Sequence, residues 1–256
     1  MTPRYVLLSD EEEAELGRFT EASGVFGPEA GLDADDTVRF RQGVLSGHLL
    51  AFAEGRTSSR SLGNTWVGLL DREGAVLGRY YLALAEVCTT LRSSTSELPW
   101  DVVLTGCFFQ PPTPATEPLW KAFAEGSILA PNVWARLSSE GKRAWLEVAR
   151  LRRSARGQAA DAPAGSVFEL DATWVEDEVD FLCALGEAIN GVGGYFGTGE
   201  DSLEDCLAGG FGARPPFVLR WRQEPARAAR PASSALDALL RVLLDADVRI
   251  LGGEHG

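Results

Sequence analysis

Short apolar runs separated by polar turns mark the first part of the chain, and spacings of three and four take over in stretches further along. Val6 to Phe19 (VLLSDEEEAELGRF) and Val67 to Tyr80 (VGLLDREGAVLGRY) each show an apolar run, an acidic turn and a second run, the pattern of a β-hairpin. They align without a gap, with Val6 on Val67, Leu8 on Leu69, Asp10 on Asp71, Leu16 on Leu77, Gly17 on Gly78 and Arg18 on Arg79. A duplicated strand–turn–strand unit and two unrelated hairpins both fit, since two copies fall short of a repeat array. Val38–Arg41, Leu49–Ala53 and Val102–Phe109 read as further strands. Helical spacing runs through Leu119–Glu125 and through Glu140–Arg153, the latter behind the cap-like Ser138–Ser139. Residues 1–153 are expected to form an α+β domain of unknown type.

Residues 154–166 (SARGQAADAPAGS) lack bulky apolar side chains and read as a linker, placing a second domain at 167–256. Val167–Asp171 is a short strand there, and Asp177–Asn190 an amphipathic helix with Leu182, Leu185 and Ile189 on one stripe. A glycine-rich loop at 191–199 leads into a further helix. Phe217–Arg222 reads as an apolar strand, Ser234–Asp245 as a Leu-rich helix and Val248–Leu251 as a last strand. Strands alternating with helices imply a small parallel sheet, the α/β class.

The length of 256 residues agrees with two domains. Thirty-seven acidic against twenty-four basic residues give a net charge of −13, which argues against direct nucleic-acid or membrane binding. The acidity is uneven: from Ser166 to Gly256, sixteen acids face seven bases. No apolar run reaches the ~18 residues of a membrane span, and the N-terminus does not read as a secretory signal. Cys88, Cys107, Cys183 and Cys206 are scattered and the histidines are only His48 and His255, so a zinc cluster and other cofactors are not expected. Free buried thiols in a cytoplasmic protein are the expectation for all four. His48, in SGHLLAF, reads as a satisfied structural residue, and no GxSxG elbow supports a catalytic triad. Trp66, Trp100, Trp120, Trp134 and Trp145 read as core. No enzymatic role is expected.

The loop GVGGYFGTG at 191–199 lacks the GxxxxGK and GxGxxG spacings of nucleotide-binding loops, and the helix it feeds opens with two acids that repel phosphate. On that helix Leu203, Cys206 and Leu207 share one stripe. Glu200 and Glu204, and Asp201 and Asp205, lie four apart on the other side, where like charges cost a few tenths of a kcal/mol per pair. A solvated face, a general-acid pair and a docking face for a basic partner remain open; the spacing of a calcium loop is absent.

The run from Tyr195 to Leu207 (YFGTGEDSLEDCL) resembles the signature of the barstar family, intracellular inhibitors of barnase-type ribonucleases: an aromatic pair and Gly, a loop, then Asp-x-Leu-x-Asp-Cys-Leu. The likeness extends over about 166–252. It implies a three-stranded parallel sheet with flanking helices, and an acidic helix that plugs a ribonuclease active site. Asp205 would replace the scissile phosphate, Asp201 would pair with a second cation, and Tyr195 would pack at the rim of the catalytic histidine. The implied contact set is Tyr195, Gly199, Glu200, Asp201, Glu204, Asp205, Ala208 and Gly209, and the implied partner a basic extracellular-type ribonuclease or nuclease toxin. The alternative is a two-domain interaction protein docking a basic partner that is not a nuclease. Departures from the family are Glu204 in place of an aromatic, a missing Trp after the helix, a two-residue insertion in Gly210-Phe211-Gly-Ala, and the stretch Leu239–Leu244 where the family has an acidic contact on the last helix, with Asp245 the nearest carboxylate.

Overall fold

In the computed structural model, which describes residues 2–11, 14–28, 37–94, 97–222 and 234–252, both echoing segments are hairpins. β1 (Tyr5–Ser9) and β2 (Glu15–Ser23) form the first, β3 (Thr37–Leu45) follows, and β4 (Ser61–Leu70) and β5 (Val76–Arg92) form the second. With β6 (Trp100–Phe108) they close into an antiparallel barrel of order β1-β2-β3-β6-β5-β4. Closure removes the exposed sheet edges that an open six-stranded sheet would carry. The two hairpins meet through β1 and β4, with Val6 opposite Gly68 and Leu7 opposite Val67. Exchanging each residue for its aligned equivalent returns the same pairs, a local two-fold in keeping with a duplicated unit. Phe19, Phe40, Leu82 and Leu104 fill the interior.

Leu49–Ala53, expected as a strand, lies instead in helix α1 (Gly47–Ala53), where Leu50 N bonds Ser46 O and Glu54 N bonds Leu50 O. A five-residue apolar run is too short for its period to be read. With α2 (Glu117–Ala124) it is one of two short helices beside the barrel strands, so the expected α+β domain is a β-barrel with helical additions.

The chain divides into compact units Met1–Ser127 and Ile128–Gly256, well before the expected linker. Helix α3 (Ser139–Arg156) belongs to the second unit. Ser138 caps it by accepting from Gly141 N at 3.2 Å, and it buries Trp145, Leu146, Val148 and Leu151. It packs on α4 (Glu178–Asn190), to which Lys142 is tied by a 2.6 Å ion pair with the fully buried carboxylate of Asp180. Nor do residues 157–163 run free: Ala159 N bonds Gly210 O at 3.2 Å and Ala162 N bonds Gly212 O at 3.0 Å. Small side chains there allow backbone to lie against backbone, which composition alone cannot distinguish from a linker.

The remaining elements follow the sequence closely. β7 (Val167–Asp171), β8 (Phe217–Arg222) and β9 (Val248–Leu251) form a parallel sheet in that order, with α4, α5 (Glu200–Leu207) and α6 (Ser234–Asp245) as its helices. Phe217, Leu219 and Trp221 alternate inward along β8, and Trp221 stacks on Phe181 of α4 with ring centres 5.9 Å apart. Cys183 and Cys206 are buried as expected, whereas Cys88 on β5 and Cys107 on β6 are exposed; His255 lies outside the described residues.

Candidate functional site

Helix α4 carries the site's foundation. Asp177 caps its start by accepting from Asp180 N at 2.9 Å, and its end reaches Gly191 in a left-handed conformation. The glycine-rich loop then folds back so closely that a Cβ on Gly186 would lie 2.4 Å from Gly194 O. These glycines serve close backbone approach rather than phosphate binding. Asn190, the last residue of α4, donates through Nδ2 to both Tyr195 O and Phe211 O at 2.8 Å, joining the loops that enter and leave α5.

The start of α5 is fixed by Ser202. Its hydroxyl accepts from Thr198 N at 2.8 Å and Gly199 N at 3.0 Å, and Leu203 N bonds Gly199 O at 2.9 Å. Gly199 has extended backbone, with nothing close to the position of a Cβ. Leu203 and Cys206 are completely buried and Leu207 nearly so, seating one stripe on the domain. Burial pushes the Cys206 thiol up to about 12; the neighbouring Asp205 charge adds to this, and a hydrogen bond with Tyr195 opposes it.

Glu200, Asp201, Glu204, Asp205 and Ala208 are exposed, while Gly199 and Gly209 are half-buried beside them. The structure thus brings seven of the eight expected contact residues to one helix and its ends. Tyr195 is the exception, at 7% exposed. Its ring lies beside Phe211, with centroids 6.1 Å apart, and burial raises its hydroxyl to about 12, Cys206 adding to the rise and a hydrogen bond with Ser202 opposing it. Tyr195 underlies the acidic face instead of standing on it, because the hydroxyl at its tip is occupied within the domain. Asp245 and Leu244 of α6 are exposed.

Among the described residues, none of the four α5 carboxylates takes part in an ion pair. Nor does any group of three or more His, Cys, Asp or Glu there have the arrangement to hold a metal. Nor is any helix there long and apolar enough to cross a membrane. His48 bonds through Nε2 to Ser59 O at 3.1 Å, as a structural histidine would. A groove of about 890 Å³ lies on the barrel unit, lined by Leu69, Leu70 and Trp120 together with side chains of both charges. A smaller groove of about 450 Å³ borders Gly199 and Glu200 and is lined by α3, α4 and α6.

Asn190, Arg153 and Asp161 bond the backbone of the loop that leaves α5, and Arg153 lies over Phe211, contacts that the sequence reading did not include. The glycine spacing Gly209-Gly210-x-Gly212 was the available signal, since it demands unusual backbone that something must hold.

The family model described as Barstar (barnase inhibitor) matches residues 165–254, about the last third of the chain. No curated protein matches the sequence. Among solved structures, the crystal structure of Hcp1 from Salmonella typhimurium is similar at 11% identity over 42% of this chain and 83% of that one, with a TM-score of 0.26, too low to carry a common fold.

Proposed function

We propose, with residues 165–254 standing as a Barstar domain, that this chain blocks the active site of a barnase-type ribonuclease with the acidic face of α5. The domain's inhibitor-like interaction role is the premise; the ribonuclease target is the proposal. The observation that carries it is the division of α5 into a fully buried Leu203/Cys206 stripe and an open face of four carboxylates without cationic partners among the described residues. Like charges at i and i+4 weaken the free helix. A basic partner relieves that repulsion, which favours a docking face over a merely solvated one.

Asp205, one turn beyond Asp201, takes the place of a phosphate among the enzyme's cationic side chains, and Asp201 meets a second cation. Glu200 and Glu204 flank them, and Gly199, Ala208 and Gly209 leave the backbone open to close approach. The charge of this unit speeds encounter and selects basic partners. A cell making such an inhibitor in its cytoplasm is protected from a nuclease toxin.

The test is titration of the full chain into barnase cleaving RNA, with binding rates measured in parallel. Inhibition at equimolar ratio is expected. Asp205→Ala should weaken binding by about 2–5 kcal/mol, chiefly through faster dissociation, because it strands buried cations without a partner. Asp201→Ala should cost less. Full RNA cleavage in excess protein, together with capture of a basic protein that is no nuclease, would overturn the ribonuclease reading in favour of the interaction-protein alternative.

A further inference from the structure

The loop that leaves α5 is held by residues the Barstar match does not include. Gly209, Gly210 and Gly212 all have positive φ (+110°, +84° and +99°); Gly209 N bonds back to Cys206 O, and the amides of Gly210 and Gly212 converge to form a small anion-binding concavity. Asp161 fills it. Its Oδ1 accepts from Gly210 N at 2.9 Å and from Gly212 N at 3.1 Å, and its Oδ2 lies 2.9 Å from Gly210 N. Arg153, near the end of α3, donates to Gly210 O and Gly157 O and lies over the Phe211 ring, 5.3 Å from its centre. Ala159 and Phe211 form a parallel bridge, and Ala159 N and Ala162 N bond Gly210 O and Gly212 O. The segment 157–163 therefore clamps the loop containing the two-residue insertion, immediately after the acidic helix.

We propose that Asp161 is a positioning residue for docking: it sets the path of Gly209–Gly212 and so the C-terminal edge of the α5 face. The functional domain then begins well before residue 165. This rests on the docking reading of α5. Its physical basis is preorganisation. A loop with three glycines in left-handed backbone has many alternative conformations when unclamped, and ordering it on binding subtracts from affinity. Asp161 touches no partner; it acts through the Gly210 and Gly212 amides. Asparagine at this position keeps the Oδ1 acceptor that meets both amides and discards the charge, whereas alanine discards both.

The experiment uses the full chain and barnase. Wild type, Asp161→Ala, Asp161→Asn and Asp205→Ala are compared in association and dissociation rates, thermal midpoint, and amide hydrogen exchange at Gly210 and Gly212. Asp161→Ala is expected to lose protection at both amides and to dissociate about tenfold faster, with association rate and its salt dependence unchanged. Asp161→Asn is expected to recover protection and dissociate within about threefold of wild type. A residue that merely stabilised the fold would lower the thermal midpoint of the alanine variant and leave dissociation unchanged. Wild-type dissociation from Asp161→Ala, while Asp205→Ala is impaired, overturns the positioning role and leaves the docking reading standing. An Asp161→Asn variant as impaired as Asp161→Ala also overturns it, since charge rather than loop geometry is then what matters. Failure of the wild-type chain to bind barnase overturns the docking reading and this extension together.

Discussion

Lys142→Met removes an ammonium, with its 5.9 Å approach to the Trp134 ring, and keeps an unbranched apolar stem. The ammonium lies 2.6 Å from Asp180 Oδ1, and Asp180 is fully buried with its other oxygen accepting from Glu176 N at 3.1 Å. Removing one member of a buried pair costs about 3–5 kcal/mol. The loss has a ceiling, since the stranded carboxyl can take up a proton; from an ordinary pKa near 4 that costs about 4 kcal/mol at pH 7. Burial already holds Asp180 above the usual carboxylate range, with hydrogen bonds from Lys142 and Glu176 N opposing the rise. Without Lys142 it must rise further. An acid whose native pKa is raised binds a proton that the unfolded chain has released, so stability falls as pH climbs from the unfolded to the native pKa and is level above it. The variant is therefore expected close to wild type near pH 4 and about 3–4 kcal/mol less stable at pH 7. Lys142 is itself held above its ordinary pKa: burial lowers it, but the hydrogen bond and charge of Asp180 outweigh that. Its contribution is complete below the unfolded lysine pKa and lost as pH rises through the native one, so wild type alone should weaken at alkaline pH. Urea unfolding followed by circular dichroism from pH 4 to about pH 12 reads both effects, the alkaline one only above the ordinary lysine pKa of about 10.4. A loss under about 1 kcal/mol at pH 7, or one that does not vary with pH, would refute the argument that this pair locks α3 to α4.

The unit boundary makes a fragment test decisive: residues 128–256 should unfold in one cooperative transition, whereas 160–256, stripped of the helix that carries buried Trp145, Leu146, Val148 and Leu151, should not. A sharp transition in the shorter fragment would return α3 to the first unit. Cys206, buried beneath the acidic face, should react with a thiol reagent far more slowly than exposed Cys88 and Cys107, and Cys206→Ala should cost about 1–2 kcal/mol in denaturant unfolding.

Much of this architecture is legible in the residue pattern. The hairpins at 6–19 and 67–80, the strand pattern of the C-terminal third, the cap at Ser138 and the split of α5 into apolar stripe and acidic face all depend on neighbours close in sequence, where side-chain period and turn chemistry decide. What eluded it depends on partners far apart. Closure of six strands into a barrel requires β3 to meet β6, and no local pattern encodes that pairing. The short run at 49–53 is helix with only Leu49 buried, and five residues are too few for their period to be read. Residues 157–163 looked like a linker because alanine and glycine are common to flexible chain and to tightly apposed backbone; the bonds to Gly210 and Gly212, some fifty residues away, distinguish the two. Likewise the sequence determines that Tyr195 precedes an acidic helix, but only packing decides that its hydroxyl turns inward to Ser202 and Cys206. Periodicity reports which face of an element is apolar; which distant surface covers that face is a property of the assembled chain.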